Sequence, residues 1–132
     1  VDFSEFKVSA TASEDGIWVE HDETTKFLVA RMGNKKFLTM FNKISAPYRR
    51  QMDANKLAVE KQTELMCRCM AKHVLLGWEG LTNNGKEIPY SETTALELLT
   101  TEGADEFRDL IASYASDNEA FRTQEMEGQA KN

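Results

Sequence analysis

The chain has 132 residues, 41% hydrophobic and 29% charged, with two cysteines, two prolines and a formal net charge of −6. That length suits one domain with one core, and the ordinary apolar content excludes a linker-like disordered protein. No apolar run approaches the roughly 18 residues that a membrane span needs, and the acidic start Val1-Asp2-Phe3-Ser4-Glu5 has no signal-peptide character, so a cytosolic protein is expected.

Phe6, Val8 and Ala10 alternate, as do Ile17 and Val19, and then Phe27, Val29 and Arg31. A period of two predicts three short strands, over 5–10, 16–21 and 26–32, in an antiparallel meander. After Gly33-Asn34 the period changes. Phe37, Met40, Phe41 and Ile44 fall on one face of a helix of about three turns. Pro47 ends that helix or opens the next, where its missing amide proton is harmless.

From about 48 to 77 the pattern predicts one long helix, with Leu57 and Val59 as the apolar contacts of its polar first half. In its second half Leu65, Met66, Cys67, Cys69, Met70, Val74, Leu75 and Leu76 surround the axis, leaving Glu64, Arg68 and Lys72 as a single polar line. Such a helix is buried by neighbours, folded from this chain or supplied by a partner. The Glu64 to Arg68 pair has the favourable orientation but adds only about 0.3 kcal/mol.

Gly77 and Gly80 allow the chain to leave the helix, and Asn84-Gly85 is the dipeptide of a two-residue hairpin turn. Ser91 is an N-cap for a helix over 92–100, with Glu92 in its first turn. Gly103 separates this from a last helix over 105–121, whose inner face carries Phe107, Leu110, Ile111 and Tyr114, extended by Phe121. The expected fold is α+β and mostly α-helical: a short N-terminal β-meander, then four or so helices with a small inserted hairpin. Residues 1–122 form the domain and 123–132 a flexible polar tail.

The charge is unevenly distributed. Residues 1–25 carry seven acids and one base, residues 26–72 eleven bases and three acids, and residues 73–132 twelve acids and four bases. A basic middle suits phosphates, but acidic flanks repel them and no aromatics alternate with the bases as stacking sites. Acidic ends, of the same chain or of a neighbouring copy, are the favoured counterpart.

No residues converge on an obvious chemistry. Cys67 and Cys69 point roughly 200° apart on a helix and read as buried apolar residues in a reducing compartment. Cys69 and His73 offer two ligands at helical spacing, yet zinc needs more, and His21 belongs to another element. His21-Asp22-Glu23 reads as a solvated turn, because consecutive side chains diverge. Glu79 and Glu87 flank the hairpin, where little burial is available to shift their titration. Gly77-Trp78-Glu79-Gly80 follows a helix, where a phosphate loop follows a strand. The expectation is a protein without catalytic residues, metal or cofactor. Met66, Met70 and Trp78 suit core filling and also a surface that accepts varied apolar partners.

Taken together, Gly16-Ile17-Trp18-Val19, Val29-Ala30-Arg31 with Gly33-Asn34 and Phe37, Leu76-Gly77-Trp78-Glu79-Gly80-Leu81 with Gly85 and Ile88-Pro89-Tyr90-Ser91, Leu96 and Leu99, and Phe107 through Phe121 resemble the tail assembly chaperones of long-tailed bacteriophages. The resemblance covers roughly residues 16 to 121 and is strongest in the tryptophan–glycine–hairpin segment. It implies a protein of the infected host's cytoplasm, absent from the mature virion. Several copies would bind the hydrophobic tape measure protein, keeping it soluble and extended until the tube polymerises around it. In many such phages a frameshift also makes a longer form that recruits the major tail tube protein; the polar end of this chain fits the short form.

On this reading Met66, Met70 and Trp78 are the candidate partner-binding residues. Homo-oligomerisation is expected to bring Arg49, Arg50 and Lys56 of one copy against Glu102, Asp105 and Asp109 of the next, head to tail. Neither membrane nor nucleic acid is an expected partner. The runner-up is a virion structural protein such as a tail completion or connector subunit.

Overall fold

The computed structural model describes residues 1–122, so the tail expected over 123–132 lies outside the described residues. Strands β1 (Ile17–Glu20) and β2 (Lys26–Val29) pair antiparallel, with Ile17 opposite Val29 and Glu20 opposite Lys26. Asp22 closes the loop between them: its Oδ1 accepts from the Thr24 and Thr25 amides at 2.9 and 2.8 Å.

The sheet has three strands, but its third is not the one expected. Phe3–Phe6 is a 3-10 turn capped by Asp2, and α1 (Ala10–Asp15) follows Ser9, whose Oγ accepts from the Ala12 amide at 3.0 Å. These local side-chain bonds hold the backbone in turns, and Phe6, 68% exposed, lines no core face. The third strand is β3 (Leu75–Glu79), which joins β2 in the order β1-β2-β3.

The long helix expected over 48–77 is correspondingly three pieces. Helix α2 (Lys35–Ser45) leads into a 3-10 turn, Ala46–Tyr48, with Pro47 in its first turn. A short α3 (Arg49–Asp53) follows, and the chain reverses at Asn55, φ 58°, before α4 (Val59–His73) begins. Leu57 is buried and Val59 exposed. Helix α4 stops at His73 because the next residues pair with the sheet: the Ala30 amide donates to the Val74 carbonyl at 2.8 Å. Leu28 lies opposite Gly77 and Val29 opposite Leu75, which leaves Leu76 as the extra residue of a bulge. The bulge allows Leu75 and Trp78, three apart, both to face the core beside Val29 and Phe27.

Strands β4 (Thr82–Asn83) and β5 (Lys86–Glu87) form the small hairpin, with Asn84 and Gly85 at φ 53° and 82° as the two-residue turn requires. Helix α5 (Glu92–Thr100) is capped by Ser91, whose Oγ accepts from the Thr94 amide at 3.0 Å. Helix α6 (Asp105–Ala115) ends earlier than expected. Asp117 caps a fresh helical start over 118–122 that carries Phe121 into the core.

Helix α4 lies between α2 and α5 and continues into β3, so cover for its apolar sides comes from this chain itself. Phe27 anchors the other half of the core against Phe107 and Tyr114, at 6.0 and 6.3 Å between ring centroids. His21 Nδ1 and the Tyr114 hydroxyl, 2.7 Å apart, tie the β1–β2 loop to α6. The architecture is α+β and mostly helical, with the antiparallel sheet on one side.

After β2 the chain serves as a junction. The amides of Ala30, Arg31 and Met32 donate in turn to the carbonyls of Val74, Ser13 and Ala115, each at 2.8 Å. Asn34 completes the junction. Its Oδ1 accepts from the Phe37 amide at 3.0 Å, capping α2, while its Nδ2 donates to the Arg31 carbonyl at 2.8 Å and the His73 carbonyl at 2.9 Å. One side chain, 5% exposed, therefore fixes the start of α2 against the end of α4. Replacing it by alanine strands buried groups on three sides. Asn34→Ala should lower unfolding free energy by about 3 kcal/mol, read from the urea midpoint at constant slope.

Candidate functional site

The faces of α2 and α4 that this junction aligns do not close against each other completely. Between them runs an open groove of about 700 Å³. Helix α2 turns Lys35, Lys36, Thr39 and Lys43 toward it, with Met40 and Ile44 at its base; α4 contributes Arg68, Lys72 and His73, and Glu14 of α1 also lines it. A shallower recess of about 240 Å³ shares Met40, Arg68 and Lys72 and adds Ala71, Glu92, Thr93 and Leu96. The two make one furrow across α4 from α2 to α5, with an apolar base of Ile44, Met40, Ala71 and Leu96.

Helical spacing explains the lining. Lys35, Thr39 and Lys43 recur every four residues on α2, as do Lys36, Met40 and Ile44, while Phe37 and Phe41 turn inward and stack at 6.4 Å. On α4 the polar line Glu64–Arg68–Lys72 is exposed beside the buried Leu65, Cys67, Cys69, Met70 and Ala71. Glu64 bonds Lys61 at 3.2 Å in place of the expected Arg68, which leaves Arg68 to the groove. Among the described residues, no carboxylate lies within ion-pair distance of Lys35, Lys36, Lys43, Arg68 or Lys72.

The resulting field is felt by His73. Its pKa lies below the ordinary 6.5, first because burial disfavours the imidazolium and then because Lys72 and Lys36 are nearby; Glu92 opposes them weakly. Cys67 and Cys69 are free and buried, and burial pushes both thiols up, away from the reactive thiolate. Cys67 Sγ instead lies 3.6 Å from the Leu99 carbonyl. No three His, Cys, Asp or Glu side chains among the described residues are placed to hold a metal ion. No described helix is long and apolar enough to cross a membrane.

The residues singled out for partner binding separate. Met66 is 37% exposed, but Met70 is 1% and Trp78 6% exposed, both committed to the core. Trp78 Nε1 donates to the Ile88 carbonyl at 2.7 Å and its ring meets Tyr90 edge-on at 4.9 Å, so its work is to dock the hairpin. Tyr90 in turn donates its hydroxyl to the Leu75 carbonyl at 2.8 Å. Of the residues expected to mediate self-association, Arg49 and Arg50 stand exposed on α3 and Lys56 in the turn beyond it. Glu102, Asp105 and Asp109 are exposed around the α5–α6 corner, where Asp105 bonds Arg108 at 3.0 Å. The cations that line the groove are a different set from Arg49, Arg50 and Lys56.

Lys36→Glu should raise the pKa of His73, measured by NMR titration of its ring protons, because it exchanges a nearby cation for an anion. The unfolded chain protonates His73 more readily than the folded one. Stability should therefore fall as pH drops from about 6.5 toward the lowered pKa, and His73→Gln should remove that component.

Compared with known proteins, residues 32–132 match the model of a family described as YdaY prophage protein. No curated protein and no solved structure matches the chain. The matched span contains α2 and α4, the two main walls of the groove, and begins after β2.

Proposed function

The chain belongs to the YdaY prophage protein family, and from that premise we propose that this phage-derived protein is a tail assembly chaperone. It binds the tape measure protein, holds that long hydrophobic client soluble and extended, and hands it to the polymerising tube. The observation that carries this reading is the furrow across α4, an open trough with an apolar base and charged walls on a molecule whose own core is closed. A trough between helices is the shape in which an amphipathic helix is received, with apolar anchors pressed into the base and polar residues along the rims. Methionine at its centre, Met40, suits a surface that must accept successive, non-identical client segments.

Binding of this kind needs moderate strength per contact and many copies per client. The exposed bases of α3 and acids of the α5–α6 corner provide opposite charges through which neighbouring copies line up. The site of action is the host cytoplasm during assembly.

Co-expression with the tape measure protein encoded by the same prophage tests the reading. The client should move from the insoluble to the soluble fraction and co-purify with this chain, and purified particles should lack the chain. An insoluble client, or stoichiometric recovery of this chain from mature particles, would contradict it, the latter favouring a structural subunit.

A further inference from the structure

We infer that the furrow formed by α2, α4 and α5 selects a helix of one particular chemistry: an amphipathic helix whose apolar stripe is flanked by glutamate or aspartate. This deepens the chaperone reading and rests on it only for the client's identity.

Three observations lead there. The base of the furrow is apolar from Ile44 through Met40 and Ala71 to Leu96, which demands an apolar stripe on the occupant. The walls on α2 and α4 carry five cations against two carboxylates, Glu14 and Glu92, and none of the five lies within ion-pair distance of a carboxylate among the described residues. Last, Lys35 and Lys36 occupy the first turn of α2, which carries no acidic residue. That end of a helix is already positive, so two lysines there disfavour the free fold. A local rule broken with no ion pair to offset it marks a surface kept for a partner, and a docked carboxylate relieves both the lysines and the helix end. Lys43, Arg68 and Lys72 extend the same demand along the trough.

Other occupants meet only part of this description. A nucleic acid satisfies the cations, but the furrow offers no Phe, Tyr or Trp for base stacking, and the molecule as a whole is acidic at −6. A second copy's α6 carries Asp105, Glu106 and Asp109, yet its Ile111 and Ala115 are buried in its own core, with Phe107 and Tyr114 packed against it. It can present carboxylates without an apolar stripe. An acidic amphipathic helix satisfies base and walls together.

The test uses the full chain and a fluorescein-labelled synthetic helix with a leucine stripe flanked by glutamates. Three controls accompany it: a composition-matched scramble, a version flanked by lysines, and single-stranded and duplex oligonucleotides. By fluorescence anisotropy the glutamate-flanked helix should bind, while the scramble and the lysine version bind at least about tenfold more weakly. The double variant Lys36→Glu, Lys43→Glu should weaken the glutamate helix by about a hundredfold and invert the preference toward the lysine helix. Lys36→Gln with Lys43→Gln, which adds no charge, should weaken it by about tenfold, and circular dichroism checks that each variant is folded. The inference is overturned if glutamate and lysine helices bind alike, if nothing binds, if oligonucleotides compete at lower concentration, or if folded variants keep full affinity. Co-purification of the tape measure protein with the charge-reversed variant as well as with the unaltered chain would sink this inference and spare the chaperone reading. An unaltered chain that binds the peptide but not that client would do the reverse.

Discussion

The carboxamide of Asn34 holds together the parts on which the rest of the molecule depends. It caps α2 and at the same time bonds the last carbonyl of α4, so that hydrogen-bond geometry fixes the start of one helix against the end of the other. Farther along, Phe37, Met40, Phe41 and Ile44 pack α2 against the core. The outer faces of α2 and α4 do not close over this contact, and the furrow lies between them. Without the clamp the lysines at the start of α2 lose their hydrogen-bonded anchor beside the end of α4, and five repelling cations give no reason to gather.

The fold also encloses the apolar residues around α4 and β3. Met70, Trp78 and both cysteines are enclosed by α2, α5, the sheet and the docked hairpin, with the indole N–H and the Tyr90 hydroxyl both bonded to carbonyls. Apolar surface is offered at the base of a trough whose rims are charged, besides the separate exposed side chains of Phe3, Phe6, Leu38 and Val59. The proposed chaperone role suits apolar surface set between charged rims, because an unguarded apolar face associates with copies of itself, while charged rims bias encounter toward a client of opposite sign.

Where pattern and local chemistry agree, the architecture was legible in the amino-acid order: the period of α2, the Ser91 cap, the Asn84-Gly85 turn and the β1–β2 pairing all stand as expected. Where a distant partner decides, it was not. Leu75-Leu76-Gly77-Trp78 continues an apolar run from α4, and only β2, nearly fifty positions earlier, makes it a strand. The alternation of Phe6, Val8 and Ala10 misled for the opposite reason: Asp2 and Ser9 offer local bonds that a period count ignores. The furrow was half visible. The line Glu64–Arg68–Lys72 stood out, and so did the basic excess of the middle segment, but Arg49, Arg50 and Lys56 are as basic as Lys35, Lys36 and Lys43. Nothing short of the packing of α2 on α4 tells which set lines a groove.

The central claim is that another chain's helix occupies this furrow while the rest of the fold stays as it is. Hydrogen exchange on the complex purified with the tape measure protein tests it most directly, since it reports on every segment at once. Slowed exchange concentrated in residues 35–44 and 64–73, with β1, β2 and the hairpin unchanged relative to the free chain, is the result predicted. Protection on the outer face of the sheet around Trp18, with α2 and α4 unaltered, would contradict it.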